Sequence, residues 1–120
     1  MVRDQFYQPD RGDLIHLHFT PHAGTEQAGR RPALVLSPQN FNIATSLAFV
    51  CPITNQVKGS SFEVALPKGT GLTGVVLSDH LRSLDWLSRQ ADFHSKAPED
   101  LMLEVLGRVE AIVGVGYRPD

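Results

Sequence analysis

A chain of 120 residues with 42% hydrophobic content is long enough for one domain with its own core and too short for two. Its formal net charge of −2 excludes a globally basic nucleic-acid binder, so any anion site has to be a local patch. Cys51 is the one cysteine, which excludes an intrachain disulfide and a cysteine-based zinc cage and suits a reducing compartment, with the cytoplasm as the expected location.

Residues 1–10 contain charges and Pro9 but no apolar run of the signal-peptide kind, and a flexible N-terminal tail is expected there. No stretch approaches the roughly 18 apolar residues in a row that a membrane span needs, so a soluble protein without a membrane partner is expected. One domain should fill residues 11–116, followed by a short tail at 117–120.

Short apolar runs then follow in close succession: Leu14 to Phe19, Ala33 to Ser37, Leu47 to Ile53, Phe62 to Leu66 and Val75 to Ser78. Their short length and close spacing predict strands. The segments between them, "TPHAGTEQAG" (20–29), "PQNFN" (38–42), "NQVKGSS" (55–61) and "PKGTGLTG" (67–74), are rich in turn-forming residues. An antiparallel, strongly bent sheet is expected, with a further strand pair from His80 to Leu84 and Trp86 to Phe93.

The periodicity changes after Lys96. In "APEDLMLEVLGRVEAIVG", Pro98 suits a first helical position, Glu99 and Asp100 suit the positive end of the helix dipole, and Gly114 can stop the helix. Leu101, Met102, Val105, Leu106, Val109, Ile112 and Val113 recur at about 3.6-residue spacing, the stripe of a helix closing a small β barrel. Gly107 inside that helix predicts close packing of another backbone, since Gly costs about 1 kcal/mol there relative to Ala.

Metal and nucleophile readings are weak. His16 and His18 share a strand face with His22 nearby, but no fourth ligand falls at a typical spacing, so neither a metal nor a cofactor is expected. Cys51 lies in an apolar strand and reads as a buried structural thiol. The glycines of "GTGLTG" read as turn residues at positive φ rather than as a phosphate cradle.

What remains is a polar constellation at the strand ends: Glu26, Gln27, Arg30 and Arg31 in one loop, Thr54, Asn55 and Lys58 in another, and Asp79, His80 and Arg82 in a third. If the strands starting near Pro32 and ending near Ile53 are antiparallel neighbours, Arg31 and Thr54 can meet at one rim. Arg31 then either pairs with Glu26 or Asp79 to tie its loop down or holds an anion; the same guanidinium fork serves both.

The blocks "GDLIHLHF", "GTEQAGRRPALVLSP", "CPITNQVKG", "FEVALP" and "GVVLSDHLRSLDW", in this order from Gly12 to the C-terminal helix, resemble the MazF/PemK family of toxin–antitoxin endoribonucleases. The resemblance implies an SH3-like β barrel of the MazF/CcdB type with a C-terminal helix, in a homodimer. It also implies metal-independent cleavage of single-stranded messenger RNA, and a cognate MazE-like antitoxin whose flexible tail occupies the RNA groove. Arg31 and Thr54 match the family's catalytic arginine and threonine, and Glu26 the acidic residue of the loop. Lys58 matches the basic residue after the threonine, and Asp79 an aspartate that some members use. Gln27, Arg30, Asn55 and His80 are expected to contact RNA beside them. His16 stands where many members carry Trp, Asn55 replaces a second threonine and His80 a frequent glutamine.

The implied reaction is attack of the ribose 2′-hydroxyl on the adjacent phosphorus, with departure of the 5′-oxygen and a 2′,3′-cyclic phosphate product. Arg31 suits an electrostatic clamp better than a general base, because its pKa exceeds about 12, and Glu26 has the chemistry of a base. Two other readings make different demands on the sequence. A gyrase-poisoning toxin of the CcdB type relies on a terminal Trp-Gly-Ile, whereas this chain ends Gly116-Tyr117-Arg118-Pro119-Asp120. A non-catalytic SH3-like module would bind without turnover.

Overall fold

Two hydrophobic cores, one on each face of a single bent sheet, organise the chain. The computed structural model describes residues 7–20, 29–114 and 116–119. Strand β1 (Asp13–His18) feeds both cores, because successive side chains point to opposite faces. Leu14 joins Leu34, Cys51, Ile53 and Val76 on one side. Ile15 and Leu17 join Ala33, Val35, Ala48, Val50, Leu84 and Trp86 on the other. The remaining strands are β2 (Arg30–Val35), β3 (Leu47–Thr54), β4 (Glu63–Ala65), β5 (Val75–Leu77), β6 (Arg82–Asp85) and β7 (Asp92–Lys96).

The sheet is antiparallel in the order β4-β5-β3-β2-β1-β7, with β6 also pairing β3. Strand β3 is the pivot: its first half pairs β6 from Leu47 to Val50, and its last residues, Ile53 and Thr54, pair β5. That change of partner bends the sheet around the first core. Helix α2 (Glu99–Val113) closes this side with Leu101, Met102, Val105 and Val109, so the expected mainly-β fold with a C-terminal helix is the one observed.

Several details differ from expectation. Residues 38–42 are expected as a turn, but helix α1 spans Gln39–Thr45. Its anchor is the fully buried Asn42, whose amide donates to the Pro9 carbonyl at 2.9 Å and whose carbonyl accepts from Trp86 Nε1 at 3.0 Å. The same contact corrects the N-terminal tail. Pro9 is fully buried and Tyr7 Oη donates to Asp13 at 2.6 Å, so residues 7–10 are packed, while residues 1–6 lie outside the described residues.

The expected strand from Trp86 to Phe93 is instead a tight turn followed by β7. Trp86 enters the second core, and hydrogen bonds from Arg89 N–H to the Asp85 carbonyl and from Ala91 N–H to the Trp86 carbonyl reverse the chain around Gln90 at φ 55°. In α2, Pro98 is the N-cap rather than the first helical residue. A Cβ at Gly107 would meet nothing within 4 Å, so no backbone packs against it among the described residues; Ile112 and Val113 are exposed rather than core. No helix of the described residues is long and apolar enough to cross a membrane.

Candidate active site

The ladder between β2 and β3 runs from Ala33–Pro52 to Val35–Val50. The same register carried two residues further sets Arg31 opposite Thr54, and a hollow of about 420 Å³ opens there. It is lined by Arg31, Pro32, Ile53, Thr54, Asn55, Gln56 and Thr73. The meeting of Arg31 and Thr54 anticipated at one rim is therefore present. Arg31 is exposed at the strand end, with Pro32 behind it fixing the backbone.

A second hollow of about 340 Å³ shares Thr54 and Gln56 with the first and adds Lys58, Ser60, Glu63, Leu77, Asp79 and His80. Thr54 thus stands on the divide between two adjoining concavities. Its Oγ1 accepts the Gln56 N–H at 3.1 Å, which leaves the hydroxyl proton available for donation. Asn55 is held by Thr73, whose Oγ1 donates to Asn55 Oδ1 at 2.9 Å, so the Asn55 amide keeps its N–H groups for a ligand.

Glu63, not singled out from sequence, and Gly74, read from sequence only as a turn glycine, shape this site. Glu63 accepts the Lys58 N–H at 3.0 Å on Oε2 and the Gly59 N–H at 2.9 Å on Oε1, which pins the loop carrying Lys58. Gly74 lies against the end of β3 at φ +104°. The "FEVALP" block contains Glu63 and the turn-rich run ends on Gly74, but neither sequence signal tells which loop each one holds.

Asp79 and His80 come from a single 3-10 turn, Ser78–His80. Ser78 is buried and donates from Oγ to the Phe62 carbonyl at 2.7 Å, so its two neighbours project outward, with His80 Nε2 3.8 Å from Asp79 Oδ1. Cys51 packs beneath, its Sγ 3.9 Å from the Ser78 carbonyl. Burial, and secondarily the Asp79 charge, push the Cys51 thiol up to about 12, which makes it an inert core group.

The structure therefore brings together Arg31, Thr54, Asn55, Lys58, Asp79 and His80. Arg30 stands apart. Its Nη2 donates to Asp92 Oδ2 at 2.8 Å and to the His16 carbonyl at 3.0 Å, with the side chain 12% exposed, so it ties β2 across β1 to β7. Glu26 and Gln27, like His22, lie outside the described residues. His16 and His18 do share a face, but His18 is buried while His16 is partly exposed beside His94.

This arrangement suits a phosphodiester. A permanently charged fork and a hydroxyl donor face one concavity, with a second, mixed-charge concavity next to it. The sequence matches, over residues 10–113, the family described as PemK-like, MazF-like toxin of type II toxin–antitoxin system. It is 43% identical to the endoribonuclease toxin MazF of Escherichia coli K12 over 109 residues, covering 90% of this chain and 96% of that one. MazF from Deinococcus radiodurans superposes with a TM-score of 0.82 at 53% identity, covering 91% of this chain and 99% of that one. A MazE–MazF structure from the same organism gives 0.81 at 49% identity, covering 90% and 97%.

Proposed function

The chain belongs to the family of PemK-like, MazF-like toxins of type II toxin–antitoxin systems and is an endoribonuclease; from that premise we propose how its residues cut RNA. The substrate is single-stranded, because only an unstacked strand offers base edges and the 2′-hydroxyl together. The observation that supports this reading is the position of Thr54, shared by the Arg31 hollow and the Lys58, Asp79 and His80 hollow.

The scissile phosphate occupies the first hollow. Arg31 clamps its non-bridging oxygens and Thr54 donates to the same group, so charge that grows as the 2′-oxygen attacks phosphorus meets two fixed donors. The carboxylate of Glu26 takes the 2′-hydroxyl proton. The 5′-oxygen departs hydrogen-bonded to Arg31 and takes a proton from water to become a 5′-hydroxyl, leaving a 2′,3′-cyclic phosphate. Protein donors do the work of a metal ion here, so the reaction proceeds without one.

The second hollow takes a neighbouring nucleotide, with Lys58 on its phosphate and Asp79 and His80 at its base; Asn55 and Gln27 add polar contacts. The proposal does not extend to Arg30, whose guanidinium is engaged by Asp92. The working protein is a cytoplasmic homodimer whose domain spans residues 11–116. Its cognate antitoxin is MazE-like and lays an acidic, flexible tail over Arg31 and Lys58 in place of RNA phosphates.

Purified protein incubated with labelled RNA in EDTA tests this reading. Cleavage of the single strand with protection of the same sequence in a duplex is expected. Binding without cleavage, or equal cutting of both forms, would contradict it.

A further inference from the structure

Beside the first hollow, where β1 meets β7, a second group of titratable side chains gathers. The rings of His16 and His94 meet edge to face, with centroids 5.4 Å apart and planes at 68°. Arg30 and Asp92 form the ion pair next to them, so the permanent charges of the cluster cancel. Each imidazole that takes a proton then makes the cluster net positive.

The hydrogen bonds fix the tautomer of His94. Ser95 Oγ gives its single proton to the Thr70 carbonyl at 2.9 Å, so toward His94 Nδ1, also 2.9 Å away, it can only accept. Nδ1 therefore carries the hydrogen in the neutral ring, and Nε2 shows a lone pair. Protonation converts Nε2 into a charged donor.

This pair begins where the hollow ends. His16 is the cross-strand partner of Pro32, which lines the Arg31 hollow. The loop of residues 67–74 touches both places. Thr73 lines the hollow and holds Asn55, while Gly71 lies against His94 so closely that a Cβ there would be 2.7 Å from Cε1 and 3.3 Å from Nε2. Two imidazoles side by side, once protonated, present charged N–H donors of the kind that hold an anion.

We propose that His16 and His94 form a subsite for an RNA phosphate adjacent to the scissile one, engaged through an imidazolium N–H. The proposal rests on the endoribonuclease reading above. The groups facing His16 are His94, Arg30 and Asp92; burial first, then His94 and Arg30, hold its pKa below the usual value, and Asp92 opposes them. A phosphate beside the ring pair favours the charged form instead, so occupancy takes up a proton and strengthens as pH falls.

Binding of RNA with a 2′-deoxy scissile ribose, which cannot be cut, tests this at about pH 6 and about pH 8. One oligonucleotide spans only the scissile step and a second extends several nucleotides to each side. For the extended RNA, the slope of log affinity against log salt should be steeper by about 0.7 at the lower pH, one added phosphate contact on a single strand. The short RNA should show no such change. His94→Ala, with His94→Asn and His16→Asn as further variants, should remove the pH effect on the extended RNA. An effect that persists in all three variants, or that is equal for both RNAs, overturns the subsite. If wild-type protein fails to cut the all-ribose RNA, the endoribonuclease reading falls and the subsite with it; cutting with a pH-independent slope overturns the subsite alone.

Discussion

Gly74 lies so close to Thr54 that a Cβ on it would fall 2.2 Å from the Thr54 carbonyl oxygen. With φ at +104°, the position combines a left-handed backbone with an approach that only glycine permits. Gly74→Ala must displace the end of β3 that carries Thr54. Single-turnover RNA cleavage should fall about a hundredfold, the scale expected when a catalytic group moves by about an ångström. A variant that cuts at the wild-type rate would separate Thr54 from this support.

Arg31→Ala and Thr54→Ala should each lower the cleavage rate by roughly a hundredfold to a thousandfold, as for loss of one donor to a developing oxyanion, with little change in melting temperature. Thr54→Ser retains the donor and should retain most activity. Arg30→Ala should cost less activity than Arg31→Ala and more stability, because Arg30 links the His16 carbonyl and Asp92. Parallel rates and thermal melts of the four variants check these orders.

The main strands and the closing helix were legible because their patterns are local: short apolar runs bounded by turn residues for β1 to β3 and a 3.6-residue stripe for α2. Arg31 and Thr54 were legible through the family's motif together with strand pairing. Helix α1 was not, since it is anchored by Asn42 reaching Pro9 and Trp86, contacts 33 and 44 residues apart in sequence. The sequence reads Arg31 as catalytic and Arg30 as an auxiliary contact. Strand alternation separates them, and β7, displaced from its expected place, supplies the Asp92 that engages Arg30. Glu63 stayed hidden because its partners are backbone N–H groups of a loop whose path no local pattern sets, and Gly74 was legible as a turn glycine but not as the neighbour of the β3 end that carries Thr54.

Glu63 offers a separable test of the second hollow. Glu63→Gln leaves one oxygen to accept from the Lys58 and Gly59 N–H groups in place of two, loosening the loop while Arg31 and Thr54 remain. At about 1 kcal/mol for the lost bond, KM for RNA should rise roughly fivefold with kcat little changed. A fall in kcat at constant KM would move Glu63 into the chemical step.

Cys51 predicts an alkaline limit to stability. Its thiol is held up to about 12 in the folded chain against 9.0 for the free group. The unfolded chain therefore releases a proton that the folded chain keeps, and stability present below pH 9.0 is lost as pH rises toward about 12. Urea unfolding should show a loss approaching about 1.4 kcal/mol per pH unit above pH 9.0, and Cys51→Ala should remove it below pH 10.0, where Tyr7, its phenol also pushed up by burial and Asp13, begins to add its own loss. Equal alkaline slopes in the two proteins would place the titration elsewhere.

The most direct measurement is the chemical end left on RNA cut in EDTA. The upstream fragment should carry a 2′,3′-cyclic phosphate by mass, cutting should stop when the scissile ribose is 2′-deoxy, and Arg31→Ala should yield neither fragment at a comparable rate. Cutting of the 2′-deoxy substrate, or a fragment with a free 3′-hydroxyl, would mean that water or another nucleophile attacks the phosphorus and would contradict transesterification at the Arg31 and Thr54 hollow.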